Sequence, residues 1–302
     1  VKIVFGFGKV YKSKKPVVAL GVFDGLHLAH TRILRAAVSL AQRLKKKAVL
    51  VTFWPHPQKE PSIYSLEHRL RLISGERLDL TLVAHFNKSF ARLSAENFVK
   101  KILLDKIKAG YILVGENFRF GQGAKGDYKL LLKLAKQYHF RLKVFPVVKM
   151  GGRPVSSTYI RRLIFTGKLK EAQRLLGRPV SVLGTVISGD SFGRRLGFPT
   201  ANINPHHEVL PPSGVYAVRI IFNQRNLEGV CYIGSKPTLK KEEDKRVEVH
   251  IFNFKKNIYN KYLEIIFIKQ IRKEKKFKST SALSEEIKKD IFRAQAYFSL
   301  HK

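Results

Sequence analysis

The sequence predicts an α/β domain built on a doubly wound parallel sheet, followed by a small antiparallel β-barrel with a C-terminal helix. Three observations predict it. At 302 residues the chain is long enough for two domains, each with its own core. Strand-like and helix-like stretches alternate from Val17 to about residue 180. After Gly177-Arg178-Pro179 the strands follow one another with no long helix between them. The boundary is therefore set near residue 180, giving domains 1–180 and 181–302 with no internal repeat.

Each element follows from its local pattern. Val17–Val22 is a short apolar run that ends in a Gly-containing turn. His30–Leu44 places Ile33, Leu34, Ala37, Leu40, Ala41 and Leu44 at helical spacing. Ala48–Phe53 reads as a buried strand stopped by Pro55-His56-Pro57. A helix over Leu66–Ile73 and a strand over Leu80–Ala84 come next. Ser94 caps a helix running to Leu104. Tyr111–Gly115 is a strand, Leu130–Tyr138 a helix and Leu142–Val147 extended. The second half offers strands at Val180–Ile187, Gly214–Phe222, Gly229–Gly234, Val247–Phe254 and Tyr262–Ile268. Leu283, Ile287, Ile291 and Ala294 then mark one side of a final helix that reaches Phe298.

Composition narrows the function classes. Hydrophobic residues make up 44% of the chain, which excludes disorder. The single cysteine, Cys231, excludes an intrachain disulfide framework and a cysteine-based zinc site. A cytoplasmic location is expected. The Val17–Gly21 run is too short to span a bilayer, and Val1–Gly8 lacks the pattern of a signal peptide, so no membrane partner is expected. Lys+Arg 58 against Asp+Glu 22 gives a net charge of +36, which draws polyanions. The lysines are scattered (Lys45-Lys46-Lys47, Lys100-Lys101, Lys240-Lys241, Lys288-Lys289) rather than gathered in an arm. That distribution reads as a solvated surface with nonspecific polyanion binding, not as specific nucleic-acid recognition. The oligomeric state leaves no trace in the sequence.

Two stretches carry chemistry. Gly21-Val22-Phe23-Asp24-Gly25-Leu26-His27-Leu28-Ala29-His30 runs from a strand end into a helix start. Ligands of an open parallel sheet bind at that edge, and a helix N-terminus there offers free N–H groups to phosphate. His27 and His30, three residues apart, can aim two imidazole donors at a triphosphate. Gly25 permits close backbone approach. A lone His-x-x-His is equally an ordinary helix start, and a zinc site would need a third ligand. Ser156, Ser157 and Thr158 can cap a helix while facing phosphate, and Arg161 follows one turn on. That set also reads as a plain cap with a surface arginine.

The other stretch is Gly193-Arg194-Arg195-Leu196-Gly197-Phe198-Pro199-Thr200-Ala201-Asn202, preceded by Gly184 and Gly189. Gly189 and Gly193 fit a loop that wraps phosphate with its backbone, although glycines also serve simple turns. Thr200 and Asn202 offer the oxygen donors that Mg²⁺ requires. Glu248 alternates with Val247 and Val249, a pattern shared by any surface strand.

Taken together, the motifs resemble the bacterial bifunctional riboflavin kinase/FAD synthetase (FMN adenylyltransferase) family. Gly-x-Phe-Asp-Gly-x-His-x-x-His resembles the signature of nucleotidyltransferases related to class I aminoacyl-tRNA synthetases. Thr52–Pro57, Val114–Gly121 and Val155–Arg161 are similar to further family loops, as are Leu210–Ala217, Ile233–Thr238, Val247–Phe252 and Arg272–Phe277.

The resemblance implies a Rossmann-like nucleotidyltransferase domain followed by a riboflavin kinase barrel. It implies two reactions: phosphorylation of riboflavin to FMN by ATP, then adenylyl transfer from a second ATP to give FAD and pyrophosphate. Asp24, Gly25, His27, His30, Ser157, Thr158 and Arg161 would hold ATP, with His27 and His30 catalytic. Pro55, Pro57, Asn117 and Phe120 would meet the flavin. Thr200 and Asn202 would hold Mg²⁺ with ATP phosphates, Gly189 and Gly193 would wrap those phosphates, and Glu248 would be the base.

The chain departs from the family pattern at Ala29, usually Gly, and at Tyr232, usually Asn. Those departures keep open a chain with one surviving activity. The charge keeps open a basic nucleic-acid-binding protein on a nucleotidyltransferase scaffold.

Overall fold

A computed structural model describes residues 1–8, 14–57, 61–189, 192–206, 208–235 and 245–301. Asp190, Lys240, Lys241 and the Lys236-Pro237-Thr238 part of one motif lie outside the described residues. The chain folds as two compact units, residues 1–62 with 66–159, and residues 63–65 with 160–302.

The first unit is a six-stranded sheet with helices on both faces. Its strands are β1 (Lys2–Phe5), β2 (Val17–Leu20), β3 (Ala48–Trp54), β4 (Leu80–His85), β5 (Tyr111–Gly115) and β6 (Arg141–Phe145), in the order β1-β4-β3-β2-β5-β6. Every pairing is parallel. Buried on both faces, β2 and β3 carry the near-continuous apolar runs such strands need. Helices α1 (Leu28–Arg43) and α2 (Leu66–Ser74) pack Ile33, Leu34, Leu70 and Ile73 on one face. Helices α3 (Phe98–Lys106) and α4 (Tyr128–Gln137) pack Phe98, Leu103, Leu131 and Leu134 on the other.

The chain leaves β2 toward β3 and later returns to β2's other side as β5, so the order reverses beside β2. In doubly wound sheets the crevice outside the strand ends at such a point takes the ligand. The Gly21–His30 stretch follows β2 at that place.

Ser94 does cap the predicted helix, accepting from Asn97 N–H at 3.1 Å, but its body Phe98–Lys106 has wide π-type turns. After a two-residue hairpin (Lys149–Met150 with Arg153–Pro154), helices α5 (Ser157–Phe165) and α6 (Leu169–Leu176) lead into the barrel.

The second unit is a closed antiparallel barrel of β7 (Ser181–Ile187), β8 (Ala201–Asn204), β9 (Gly214–Phe222), β10 (Arg225–Ser235), β11 (Lys245–Ile251) and β12 (Tyr262–Lys273). Around the barrel the order is β8-β11-β10-β9-β12-β7. Register shifts between β9 and β12 at Val215/Tyr216 and Ala217/Val218 add the local bend that closure needs. Alternation along the strands separates two faces. Tyr216, Val218, Cys231, Ile233, Val247 and Val249 are buried on one. On the other, Val215, Ala217 and Val230 pack with Ala294 and Phe298 of α7 (Thr280–Leu300). Arg272 fastens α7 by a two-pronged contact with the buried Asp290, at 3.0 and 2.9 Å.

Candidate active sites

In the first unit the backbone does the initial work. Phe23 (φ 56°) and Gly25 (φ 78°) both lie in the left-handed region, which folds the chain sharply back at the end of β2. Glycine adopts such a φ without strain; Phe23 is compensated by burial, at 1% exposure. The turn presents His27 as the N-cap of α1, where its Nδ1 accepts from His30 N–H at 3.4 Å. The two imidazoles stack, centroids 3.6 Å apart and planes within 15°. Both rings therefore stand together at a helix N-terminus. Asp24, in the same turn, is buried, and its carbonyl oxygen accepts from Ser157 Oγ at 2.8 Å. That bond joins the start of α5 to the signature turn, 133 residues away in sequence.

Ser156 is the side chain that caps α5, accepting from Tyr159 N–H at 3.3 Å, which frees Ser157 for Asp24. Thr158 is exposed at the same helix start. Arg161 lies just past Tyr159, where the chain enters the second unit. Ala29 is half-buried in the first turn of α1.

Pro55 follows a cis peptide bond and is exposed; Pro57 is half-buried. Asn117 is exposed in the loop after β5. Phe120 is 6% exposed, stacked on Phe118 at 5.6 Å and set against Phe98 in the core. Its ring is thus part of the hydrophobic layer beneath this loop.

In the second unit β8 and β11 bring the predicted residues together. Asn202 pairs with Glu248 across β8–β11, so both side chains share one face. Thr200 Oγ1 donates to Glu248 Oε2 at 3.1 Å, and Arg246 Nη1 lies 3.2 Å from Glu248 Oε1. The glycines have a steric reason. A Cβ on Gly189 would fall onto the Asn202 amide, and one on Gly193 would lie 2.6 Å from Phe198 O and 2.9 Å from Thr200 Oγ1. Gly189 and Gly193 therefore let the loop lie directly over the Thr200 and Asn202 side chains.

Tyr232 also pairs with Glu248, on the side opposite Asn202. Its hydroxyl donates to Glu274 Oε1 at 2.7 Å. Burial raises the phenol's pKa, and Glu274 and Glu248 raise it further, so it stays a donor. The large ring thus finds a place among the apolar side chains facing α7.

Beside Thr200 opens a cavity of about 220 Å³. Arg194, Lys255 and Lys256 supply positive charge to its wall; Phe254, Ile258 and Tyr259 supply apolar and aromatic surface. Sequence reasoning gave Arg194 no role beyond the glycine motif, read Lys255-Lys256 as solvated surface charge, and assigned no site role to Phe254, Ile258, Tyr259 or Arg246. The signal available was the Arg-Arg pair inside the glycine loop and the Lys-Lys pair after β11.

Comparison with known proteins finds a separate match for each half of the chain. A family model described as FAD synthetase matches residues 10–159, and one described as riboflavin kinase matches residues 176–298. Proteins named bifunctional riboflavin kinase/FMN adenylyltransferase are similar over nearly their whole length. That of Buchnera aphidicola from Schizaphis graminum is 35% identical, covering 99% of this chain and 100% of the relative. That of Bacillus subtilis is 35% identical (95% and 94%), and that of Escherichia coli K12 is 32% identical (95% and 94%). A crystal structure named macrolide-efflux protein, from Streptococcus pneumoniae, superposes with a TM-score of 0.82 at 28% identity, over 96% of this chain and 97% of that one. Among the described residues no helix is long and apolar enough to cross a membrane. With both family models matched in order and full-length relatives above 30% identity, the chain belongs to the bifunctional riboflavin kinase/FMN adenylyltransferase family.

Proposed function

We propose that this chain makes FAD from riboflavin in two ATP-dependent steps, phosphorylation at residues 181–302 and adenylyl transfer at residues 1–180. The observation that carries the reading is Thr200, which lines a cationic, aromatic-walled cavity and donates to Glu248, itself paired with Asn202 across β8–β11. A nucleoside triphosphate suits such a cavity: cations for the phosphates, an apolar wall for the base.

In the first step the ribityl hydroxyl of riboflavin attacks the γ-phosphorus of ATP. Glu248 accepts the hydroxyl proton, the O–P bond forms, and ADP leaves. Arg246, 3.2 Å from Glu248 Oε1, keeps the carboxylate aimed. Positioning and charge neutralisation are most of what phosphoryl transfer asks of a protein.

In the second step a phosphate oxygen of FMN attacks the α-phosphorus of a second ATP and pyrophosphate leaves. His27 and His30, stacked at the α1 N-terminus, donate to the oxygens that gain charge. Gly25 lets the triphosphate approach the backbone, and Ser157 holds the Asp24 turn in place. Pro55, Pro57 and Asn117 border the space for the flavin, with Phe120 under the loop.

Mg²⁺ supplies charge neutralisation when bound with ATP. The donors fit it: the Thr200 hydroxyl and the Asn202 amide oxygen would hold the ion, with Glu248 beside them as the base. Among the described residues there is no cluster of three or more His, Cys, Asp or Glu that could hold a metal alone. Mg²⁺ commonly takes one or two protein oxygens and completes its shell from phosphates and water. The lone, buried Cys231 suits a reducing cytoplasm. The dispersed cationic surface supports salt-sensitive retention of polyanions without sequence preference.

The test is chromatography of products from riboflavin and Mg-ATP with the purified chain. FMN followed by FAD is expected; the absence of both refutes the reading. FMN without FAD would favour a single surviving activity, with Ala29 as the place to look.

A further inference from the structure

Arg69 is a charged side chain to which neither step above assigns a role, and it is among the largest fully buried side chains, 1% exposed. Arginine is almost never this buried unless it holds something. Its two terminal nitrogens donate to backbone carbonyls: Nη1 to Val22 O at 2.8 Å, and Nη2 to Phe53 O at 3.0 Å. Val22 begins the turn that presents His27 and His30. Phe53 is the next-to-last residue of β3, just before the loop that carries Pro55 and Pro57. Thr52 Oγ1 also donates to Val22 O, at 2.7 Å, so the two strand ends are tied twice.

The guanidinium lies 5.7 Å from the centre of the Trp54 ring. Burial lowers its pKa to about 10, opposed by the charge of Asp24, so it is a cation at neutral pH. Its Nε has no hydrogen-bond partner among the described residues. The fold thus keeps a cation in its interior with one donor unsatisfied, directly under the ligand edge of the sheet. Core packing alone would favour an apolar residue there.

We infer that Arg69 is a positioning residue for adenylyl transfer: its planar fork spans the carbonyl ends of β2 and β3 and so sets the spacing between the triphosphate turn and the flavin loop. The inference rests on the adenylyl-transfer reading above. In-line attack needs the FMN phosphate and the α-phosphorus aligned, and about 1 Å of misplacement can cost roughly 100-fold in rate. A fork can bridge two fixed acceptors in one plane; a lysine ammonium is a single point on a flexible stem. Arg69 touches neither substrate, so its effect falls on turnover rather than on ATP binding.

The test uses the full chain with Arg69→Lys. Four quantities are measured: kcat for FMN to FAD, KM for ATP, the rate of riboflavin to FMN, and the emission of Trp54. This is the chain's one tryptophan, so its signal comes from the clamp alone. The expected result is a kcat for adenylyl transfer reduced at least tenfold, ATP KM within threefold of the parent, unchanged riboflavin phosphorylation and altered Trp54 emission. Should Arg69→Lys fail to fold, Arg69→Gln keeps one donor and is expected to show the same split. Adenylyl transfer at the parental rate in either folded variant overturns the inference, and so does an equal fall in both activities. A parent chain that makes FMN but no FAD from supplied FMN removes the adenylyl-transfer reading itself, and the inference with it.

Discussion

Gly189→Ala places one methyl group where the structure has no room. A Cβ at that position lies 2.5 Å from Asn202 Cγ and 3.0 Å from its Oδ1. The Asn202 backbone cannot retreat, because β8 pairs there with both neighbours, Asn202 with Ile187 on β7 and with Glu248 on β11. The amide must turn away instead. Overpacking of this kind costs about 1–3 kcal/mol of stability. Losing an oriented polar contact to a charged partner costs about 1.5–3 kcal/mol. The second figure converts to roughly 10- to 150-fold in rate, at about 1.4 kcal/mol per decade. The assay is conversion of riboflavin to FMN with Mg-ATP, followed by chromatography, with FMN to FAD as the internal control. Gly189→Ala is expected to slow the first reaction by that factor and to leave the second alone. Because the methyl acts through Asn202, adding Gly189→Ala to Asn202→Ala should cost nothing more. If Gly189→Ala phosphorylates riboflavin at the parental rate while Asn202→Ala is slow, the steric argument is wrong.

Other outcomes follow from the same geometry. Glu248→Gln removes the proton acceptor and should slow riboflavin phosphorylation by about 100- to 10,000-fold while supplied FMN is still converted to FAD; equal loss of both would contradict the assignment. His30→Ala should do the reverse, measured in the same assays. Tyr232→Asn restores the residue usual in the family but removes a ring packed toward α7 and its 2.7 Å bond to Glu274, so a loss of about 2–4 kcal/mol is expected, read as a lower Tm. Glu286 has its pKa lowered from 4.5, first by the hydrogen bond from Lys275 and then by the charges of Lys275, Arg272 and Arg293, with burial opposing. Its contribution is present above pH 4.5 and is lost as pH falls through the lower folded value, so Glu286→Gln should flatten the acid limb of a Tm-against-pH curve.

Helix α1 was legible because Ile33, Leu34, Ala37 and Ala41 recur at helical spacing and all four are buried. The barrel strands were legible where alternation is clean, as in Val247, Val249 and Ile251 on β11. Strand β8 was not: four residues following a Gly-Phe-Pro run carry no alternation, and only pairing to β7 and β11 makes them a strand. Strand β1 was missed for a related reason, being a short, largely exposed edge with glycines after it. The wide turns of α3 depend on how Phe98, Ile102 and Leu103 seat on the sheet, which a periodicity cannot register.

Motif residues were found, but their partners were not. Thr200 and Glu248 meet across 48 residues, and Ser157 meets Asp24 across 133. Arg69 was invisible for a deeper reason. Its partners are carbonyl oxygens, which every residue possesses, so no side-chain pattern marks them.

Cys231 has no solvent exposure and sits in the interior of the barrel, where burial raises its thiol pKa. Native protein should therefore ignore maleimides and disulfide reagents, since they attack the thiolate. Modification can proceed only when the staves part. The rate of alkylation under native conditions then measures how often the kinase half breathes open, with no engineered label. A cysteine introduced anywhere on the surface would meanwhile react alone, leaving a clean handle for dyes.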